Sequence, residues 1–141
     1  MPRPKPVPGT SAEWISRAQG SLAQAKQPKA EAGYWEDLCF LAQQAAEKAI
    51  KAVYQQHEWP FQYTHDIEVL LGELESHGIP TPGNVKKAVT LTKYAFRTRY
   101  PGMSEPVTKR EYQKAVRLAE HVVLWAETLL NEESGLGNSH V

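Results

Sequence analysis

Cysteine is nearly absent. Cys39 is the only one, so no disulfide can form within the chain, and folds held together by disulfide frameworks are excluded. A lone thiol suits a reducing compartment, and a cytoplasmic location is expected. No apolar run approaches the ~20 residues of a membrane-spanning helix, and the N-terminus has no signal-type apolar core, so no membrane association is expected. Excess charge of either sign is missing too: 16 basic and 16 acidic residues give a net charge of zero. Without a global basic field, binding to a polyanion would need a local patch. The five histidines (57, 65, 77, 121 and 140) show no metal-ligand spacing. Neither a glycine-rich phosphate loop nor a nucleophile elbow occurs. No metal and no cofactor are expected.

What is present is helical. At 141 residues, with 41% apolar and 9% aromatic residues, the chain can bury one substantial core and is read as one domain. Its organising stretch is Tyr34 to Gln55, which contains no glycine or proline and is rich in alanine, leucine and glutamine. Such residues lose little side-chain entropy in a helix. Leu38, Ala42, Ala45, Ala49, Ala52 and Val53 recur at three and four, one helical face on which a neighbour can approach closely. Asp37, Gln44, Lys48, Lys51 and Gln55 form a polar stripe nearly opposite, within an arc of roughly 60° at about 100° per residue. That stripe faces either a ligand or water.

The rest of the chain supplies partners for this helix. Residues 1–9 carry four prolines and two positive charges and read as an extended, mobile arm. Thr10 and Glu13 form a capping box for a first helix with Trp14, Ala18, Leu22 and Ala25 on one face, ending near Lys26 before Pro28. The organising helix is expected to start around Glu31 and stop near His57, making an antiparallel pair with the first. Trp59-Pro60 opens an extended connection, WPFQYTHD. Thr64 is the expected cap of a third helix with Ile67, Leu70, Leu71 and Leu74 inward, closed by His77-Gly78. Thr81-Pro82 should open a fourth, with Val85, Ala88, Val89, Thr92 and Phe96 inward, broken at Pro101-Gly102 and Pro106. Thr108 and Glu111 cap a fifth, with Tyr112, Ala115, Val116, Ala119, Val122, Val123, Ala126, Leu129 and Leu130 facing the core. After Asn131 the chain turns polar and glycine-containing, a frayed tail over 132–141. The expected fold is an all-α up-and-down bundle of about five helices over residues 10–131.

Three segments together resemble the HEPN family (higher eukaryote and prokaryote nucleotide-binding domain). They are AQQAAEKAIKAV in the second helix, THDIEVLL at the start of the third, and TRYP after the fourth. A tryptophan in the opening helix, Trp14, fits as well, and the resemblance covers roughly residues 11–130. It implies a helical bundle that commonly dimerises and is often encoded beside a small nucleotidyltransferase, in toxin–antitoxin or related pairs. Some members are metal-independent ribonucleases; others bind nucleotides or act only as partners.

The ribonuclease branch carries an arginine followed four to six residues later by a histidine, which can move a proton at the ribose 2′-hydroxyl while the arginine steadies the phosphate. Here the nearest pair, Arg117 and His121, has three residues between, placing both on one face of the last helix with Arg110 and Lys114. A solvated basic stripe explains them without catalysis. Arg97 and Arg99 precede the proline turn and suit phosphate, or else Arg99 continues the inward stripe of the fourth helix and holds a carboxylate or helix C-terminus; Tyr100 reads as an anchoring aromatic. His65 is either an acid–base group or part of the cap of the third helix. Lys48 and Lys51 either meet a phosphate or line an exposed face. The composite candidate is a cationic groove in which Gln44, Lys48 and Lys51 face His65 and the Arg97–Arg99 segment. The expected function is a HEPN-like nucleotide-binding or partner module, homodimeric and paired with a small nucleotidyltransferase. The alternatives are a ribonuclease toxin using Arg117 and His121, and a purely structural dimerisation module. Trp35 and Trp125, near helix ends, prompt the dimer.

Overall fold

The computed structural model describes the backbone of residues 6–97 and 105–139 and the side chains of residues 6–96 and 105–132. Among these residues the chain is all-helical, in the expected bundle. The elements are α1 (Ser11–Ala25), α2 (Trp35–Gln56), α3 (Ile67–Ser76), a composite fourth segment, and α6 (Lys109–Ser139). The composite consists of α4 (Gly83–Lys86), a 3-10 turn η1 (Lys87–Lys93) and α5 (Tyr94–Arg97).

α2 is the centre of the fold. Twelve of its 22 residues are buried, too many for a surface helix with one apolar stripe. Its alanines explain how: Ala42, Ala45, Ala46, Ala49 and Ala52 are fully buried, so α1 lies close on one side and α6 on another. Ser11 on α1 bonds Gln56 on α2 (2.9 Å), and Ser21 receives Lys48 (3.0 Å), so these helices run antiparallel. α6 runs antiparallel to α1, tied by Gln19 to Glu127 and Lys26 to Glu120. The N-terminal ends of α2 and α6 meet where Trp35 stacks on Tyr112 (4.8 Å between centroids) and Glu36 accepts the Val107 N–H (2.8 Å). Trp35 and Trp125, singled out as prompts for dimerisation, both pack against the protein's own core.

Helix ends follow the local chemistry, with shifts of a few residues from the expected places. Thr10 caps α1 through the Glu13 N–H, as expected, but the Glu13 carboxylate reaches back to the Gly9 N–H (2.8 Å) rather than to Thr10 itself. α2 begins at Trp35 and not near Glu31, because the Gly33 N–H bonds the Ala30 carbonyl in a turn of its own. The cap of α3 is Asp66, whose Oδ1 accepts from the Glu68 and Val69 N–H groups; Thr64 instead accepts the Asp66 N–H. Thr81 is not the cap of α4: Pro82 holds that position, and the Thr81 hydroxyl is buried without a partner. α2 and α3 end alike. Trp59 N–H bonds Tyr54 O and Ile79 N–H bonds Leu74 O, each reaching past a left-handed residue, Glu58 (φ 57°) or Gly78 (φ 91°). Trp59 then lies between His57 and His77, 4.0 Å from each ring, fastening the two helix ends together.

The fourth segment departs most from expectation. A 3-10 helix has three residues per turn, so its buried positions recur every third residue. Val85, Ala88, Leu91 and Tyr94 follow that period and are buried, along with Ala95. Val89 and Thr92 are half-buried, and Phe96, expected inside, is 47% exposed. α6 continues to Ser139, past the end expected at Asn131; Gly135 and Gly137 weaken a helix by about 1 kcal/mol each without forbidding it. The expected mobile arm in residues 1–5, together with Arg99, Tyr100 and His140, lies outside the described residues. No described helix is long and apolar enough to cross a membrane.

Candidate functional site

The polar stripe of α2 does not face open water. Lys51, read as either a phosphate ligand or an exposed lysine, is buried, with only 10% of its side chain accessible. Its ammonium donates to Glu47 Oε2 (2.8 Å) and lies over the rings of Phe61 (5.3 Å) and Trp14 (5.8 Å). The extended WPFQYTHD segment makes this possible: Phe61 packs edge-on against both Trp14 and Tyr54, closing an aromatic lid over the lysine. A desolvated ammonium is tolerable only when paired and surrounded by such rings.

Glu47 is the hub. It is almost wholly buried, and its other oxygen, Oε1, meets His65 Nδ1 at 2.9 Å and accepts from Gln43 Nε2 at 2.9 Å. Burial by itself would push the Glu47 carboxyl up, but hydrogen bonds from Lys51 and His65, the Lys51 charge and the Gln43 amide hold it below its ordinary value. Gln44 completes the chain by donating to Gln43 Oε1 (2.8 Å). Neither Gln43 nor Glu47 was singled out from sequence. Their signal was the four-residue spacing Gln43, Glu47, Lys51, with glutamate N-terminal to lysine, the favourable i,i+4 order.

His65 stands just ahead of α3, where Asp66 caps the helix and Thr64 fixes the preceding turn. Its Nδ1 is engaged with Glu47, while 42% of the side chain is accessible. A carboxylate on Nδ1 holds the proton there and leaves Nε2 free to accept or donate.

Lys48 goes a different way. It is half-buried between α1 and α2, donating to Ser21 Oγ (3.0 Å). Burial lowers its pKa, and the neighbouring Arg17 charge lowers it further, against a smaller opposite pull from Glu47. Arg17 is exposed and pairs with Glu13 (3.3 Å). Trp14, Arg17 and Ser21 on α1, Gln44, Lys48 and Lys51 on α2, and Phe61 and His65 after it thus gather in one region, with Ser21 and Lys51 buried beneath the more accessible groups.

Of the composite groove, the structure brings Gln44, Lys51 and His65 together through Gln43 and Glu47, with Lys48 at the edge against α1. The fourth segment reaches the same end of α3, where Thr92 accepts the Ile67 N–H (3.1 Å). The backbone of Arg97 ends α5; its side chain and all of Arg99 lie outside the described residues. Arg117 and His121 are exposed on α6, away from this network. Cys39 is fully buried, and burial pushes its thiol up to about 12, the state of an inert packed side chain.

Two concavities exist elsewhere among the described residues. One, about 410 Å³, is lined by Lys26, Tyr112, Gln113, Val116 and Arg117; the other, about 260 Å³, lies where α1 begins against α6. Neither contains the Glu47 network, which is a filled polar cluster with an accessible rim. No group of three or more metal-ligating side chains occurs among the described residues.

Comparison with known proteins agrees with this architecture. The HEPN domain family model matches residues 11–129. The archaeal HEPN homologue ST0689 superposes with a TM-score of 0.69 at 28% identity, over 86% of this chain and 98% of that one. TT1696 from Thermus thermophilus gives a TM-score of 0.73 at 29% identity, over 84% and 96%. A HEPN domain protein from Thermotoga maritima gives 0.52 at 25% identity, over 86% and 93%. Among curated proteins none matches the chain. With its segments in family order, its helices in the same arrangement and nearly its whole length matched, the chain belongs to the HEPN domain family.

Proposed function

We propose that this HEPN chain is a nucleotide-binding or partner module that works with a small nucleotidyltransferase, in a toxin–antitoxin-like pair, as a homodimer. The observation that carries the binding reading is the placement of Lys48. Its ammonium is held half-buried between two helices by one hydroxyl, beside a second cation, Arg17. Burial first, and the Arg17 charge second, disfavour the Lys48 ammonium, and a phosphate arriving there relieves it while accepting its remaining hydrogens. Lys51 is not a second phosphate ligand in this reading, since Glu47 already neutralises it. It sets the shape of the site by fixing Glu47, and Glu47 in turn fixes His65.

One observation favours the ribonuclease alternative at a different place from the one the sequence suggested. His65 has the carboxylate partner that a general base needs; His121 is exposed with no hydrogen-bond or ion-pair partner among the described residues. Cleavage of RNA in the presence of a chelator, lost in His65→Ala and kept in His121→Ala, is the result that reading requires. The module reading requires no cleavage, binding of ATP or GTP, and co-purification with a co-expressed nucleotidyltransferase. Solution scattering checks the dimer, and a monomeric mass contradicts it.

A further inference from the structure

The first three turns of α6 carry a feature that folding does not call for. Arg110, Lys114, Arg117 and His121 recur at four, three and four residues, within an arc of about 60° on the helix. All four are exposed, and none has a hydrogen bond or ion pair among the described residues. The acids nearby are taken by other groups: Glu120 by Lys26 (3.0 Å), and Glu111 by Lys93 (3.8 Å) and the Tyr94 hydroxyl. Helix energetics argue against this arrangement. The N-terminus of a helix is its positive end and favours acids, yet Lys109 and Arg110 open α6 with one acid in the first turn, Glu111. Arg110–Lys114 and Lys114–Arg117 are also like-charge neighbours, each unfavourable in isolated helices. Such a patch repels itself, and among the described residues no hydrogen bond or ion pair to these four side chains offsets that repulsion.

Beside the stripe lies the open groove of about 410 Å³, lined on α6 by Tyr112, Gln113, Val116 and Arg117 and by Lys26, the residue that closes α1. The stripe runs about 16 Å at 1.5 Å per residue, the reach of several phosphates along one strand at about 3.4 Å each in a duplex and more when extended. We propose that this face of α6 binds single-stranded nucleic acid, with successive phosphates on Arg110, Lys114 and Arg117 and one base entering the groove beside Gln113. A linear row of unpaired cations complements a phosphodiester chain, and two of the three obligate cations are arginines, whose forks match phosphate. An unpaired base is what the groove admits and a duplex withholds. This surface is separate from Lys48 and does not depend on it.

The test is fluorescence anisotropy of the full chain with a labelled twelve-nucleotide oligo(U) or oligo(dT), at several salt concentrations. The expected result is salt-sensitive binding, with Arg110→Gln, Lys114→Gln and Arg117→Gln each flattening the slope of log K against log salt by about 0.7, the value for one single-strand phosphate contact. The three together weaken binding by at least about tenfold at low salt, with unchanged circular dichroism. Lys86→Gln with Lys87→Gln, which removes two exposed charges elsewhere, leaves binding in place. The proposal is overturned by absence of binding, or by equal loss in the Lys86 and Lys87 control. It is equally overturned if a duplex binds as tightly as the single strand, or if polyglutamate competes as well at equal charge, which would point to an acidic protein partner instead.

Discussion

Glu47 is the residue on which the candidate site turns, because both of its oxygens are committed and it is removed from water. Replacing it with glutamine keeps the shape but leaves the Lys51 ammonium desolvated and unpaired. Glu47→Gln should therefore cost about 3 kcal/mol in urea unfolding, the usual penalty for breaking a buried pair. Lys51→Met should cost distinctly less, since Glu47 keeps its contacts with Gln43 and His65. Equal losses from the two would mean that the lysine, not the carboxylate, organises the cluster. Lys48 is predicted to behave oppositely. Its lowered pKa marks a charge that the folded state disfavours, so Lys48→Met should raise the urea midpoint while impairing binding. A residue that is costly to stability and needed for binding is the signature of a functional position.

At the scale of elements, the fourth segment and the helix ends carry the sharpest expectations. The three-residue period of η1 puts Leu91 inside and leaves Phe96 half outside. Leu91→Ala should then cost about 2–5 kcal/mol, and Phe96→Ala distinctly less, because 47% of Phe96 stays in water in the fold. An α-helical period through the same stretch predicts the reverse order. Glu58 sits at the left-handed position that Gly78 occupies at the end of α3. Glu58→Gly should stabilise by about 0.5–1 kcal/mol, since only glycine enters that region without a steric cost. These elements also show what could be read from sequence and what could not. The buried stripes of α3 and α6 follow the 3.6-residue period and were legible, as was the alanine face of α2. η1 was not, because nothing local distinguishes a 3-10 run from an α-helix until tertiary packing selects a face. Of the site, His65, Lys48 and Lys51 were legible as polar groups near family-like segments. Glu47 was not, because a glutamate just ahead of Lys48 and Lys51 in an amphipathic pattern reads as solvent-facing until the Phe61 segment is seen to cover it.

For the whole molecule, the shifts of Glu47 and Lys48 give stability a definite pH dependence. The folded Glu47 carboxyl titrates below its ordinary 4.5, so the folded chain binds fewer protons there than the unfolded chain. Its contribution is complete above about pH 4.5 and disappears as pH falls through the folded value. Lys48 acts against folding at neutral pH, and its penalty is relieved as pH rises through its lowered value toward 10.5. Urea midpoints measured from pH 3 to 7 should rise, and Glu47→Gln should flatten that rise. A wild-type curve with no acid limb beyond that of the variant would deny the buried carboxylate its role. Gln43, Gln44, Glu47 and Lys51 bond to one another along α2, while His65 reaches Glu47 and Ser21 of α1 meets Lys48 from outside it, so the site is complete only in the assembled fold.

The central claim, that the Lys48 surface receives a phosphate, is tested most directly by calorimetric titration of ATP and GTP into folded wild-type protein and Lys48→Ala at about 50 and 200 mM salt. Binding by the wild type that weakens with salt, and that falls by about tenfold or more in Lys48→Ala, is the predicted result for losing one charge-assisted hydrogen bond. No heat of binding in the folded wild type, or the same affinity in both proteins, would contradict it.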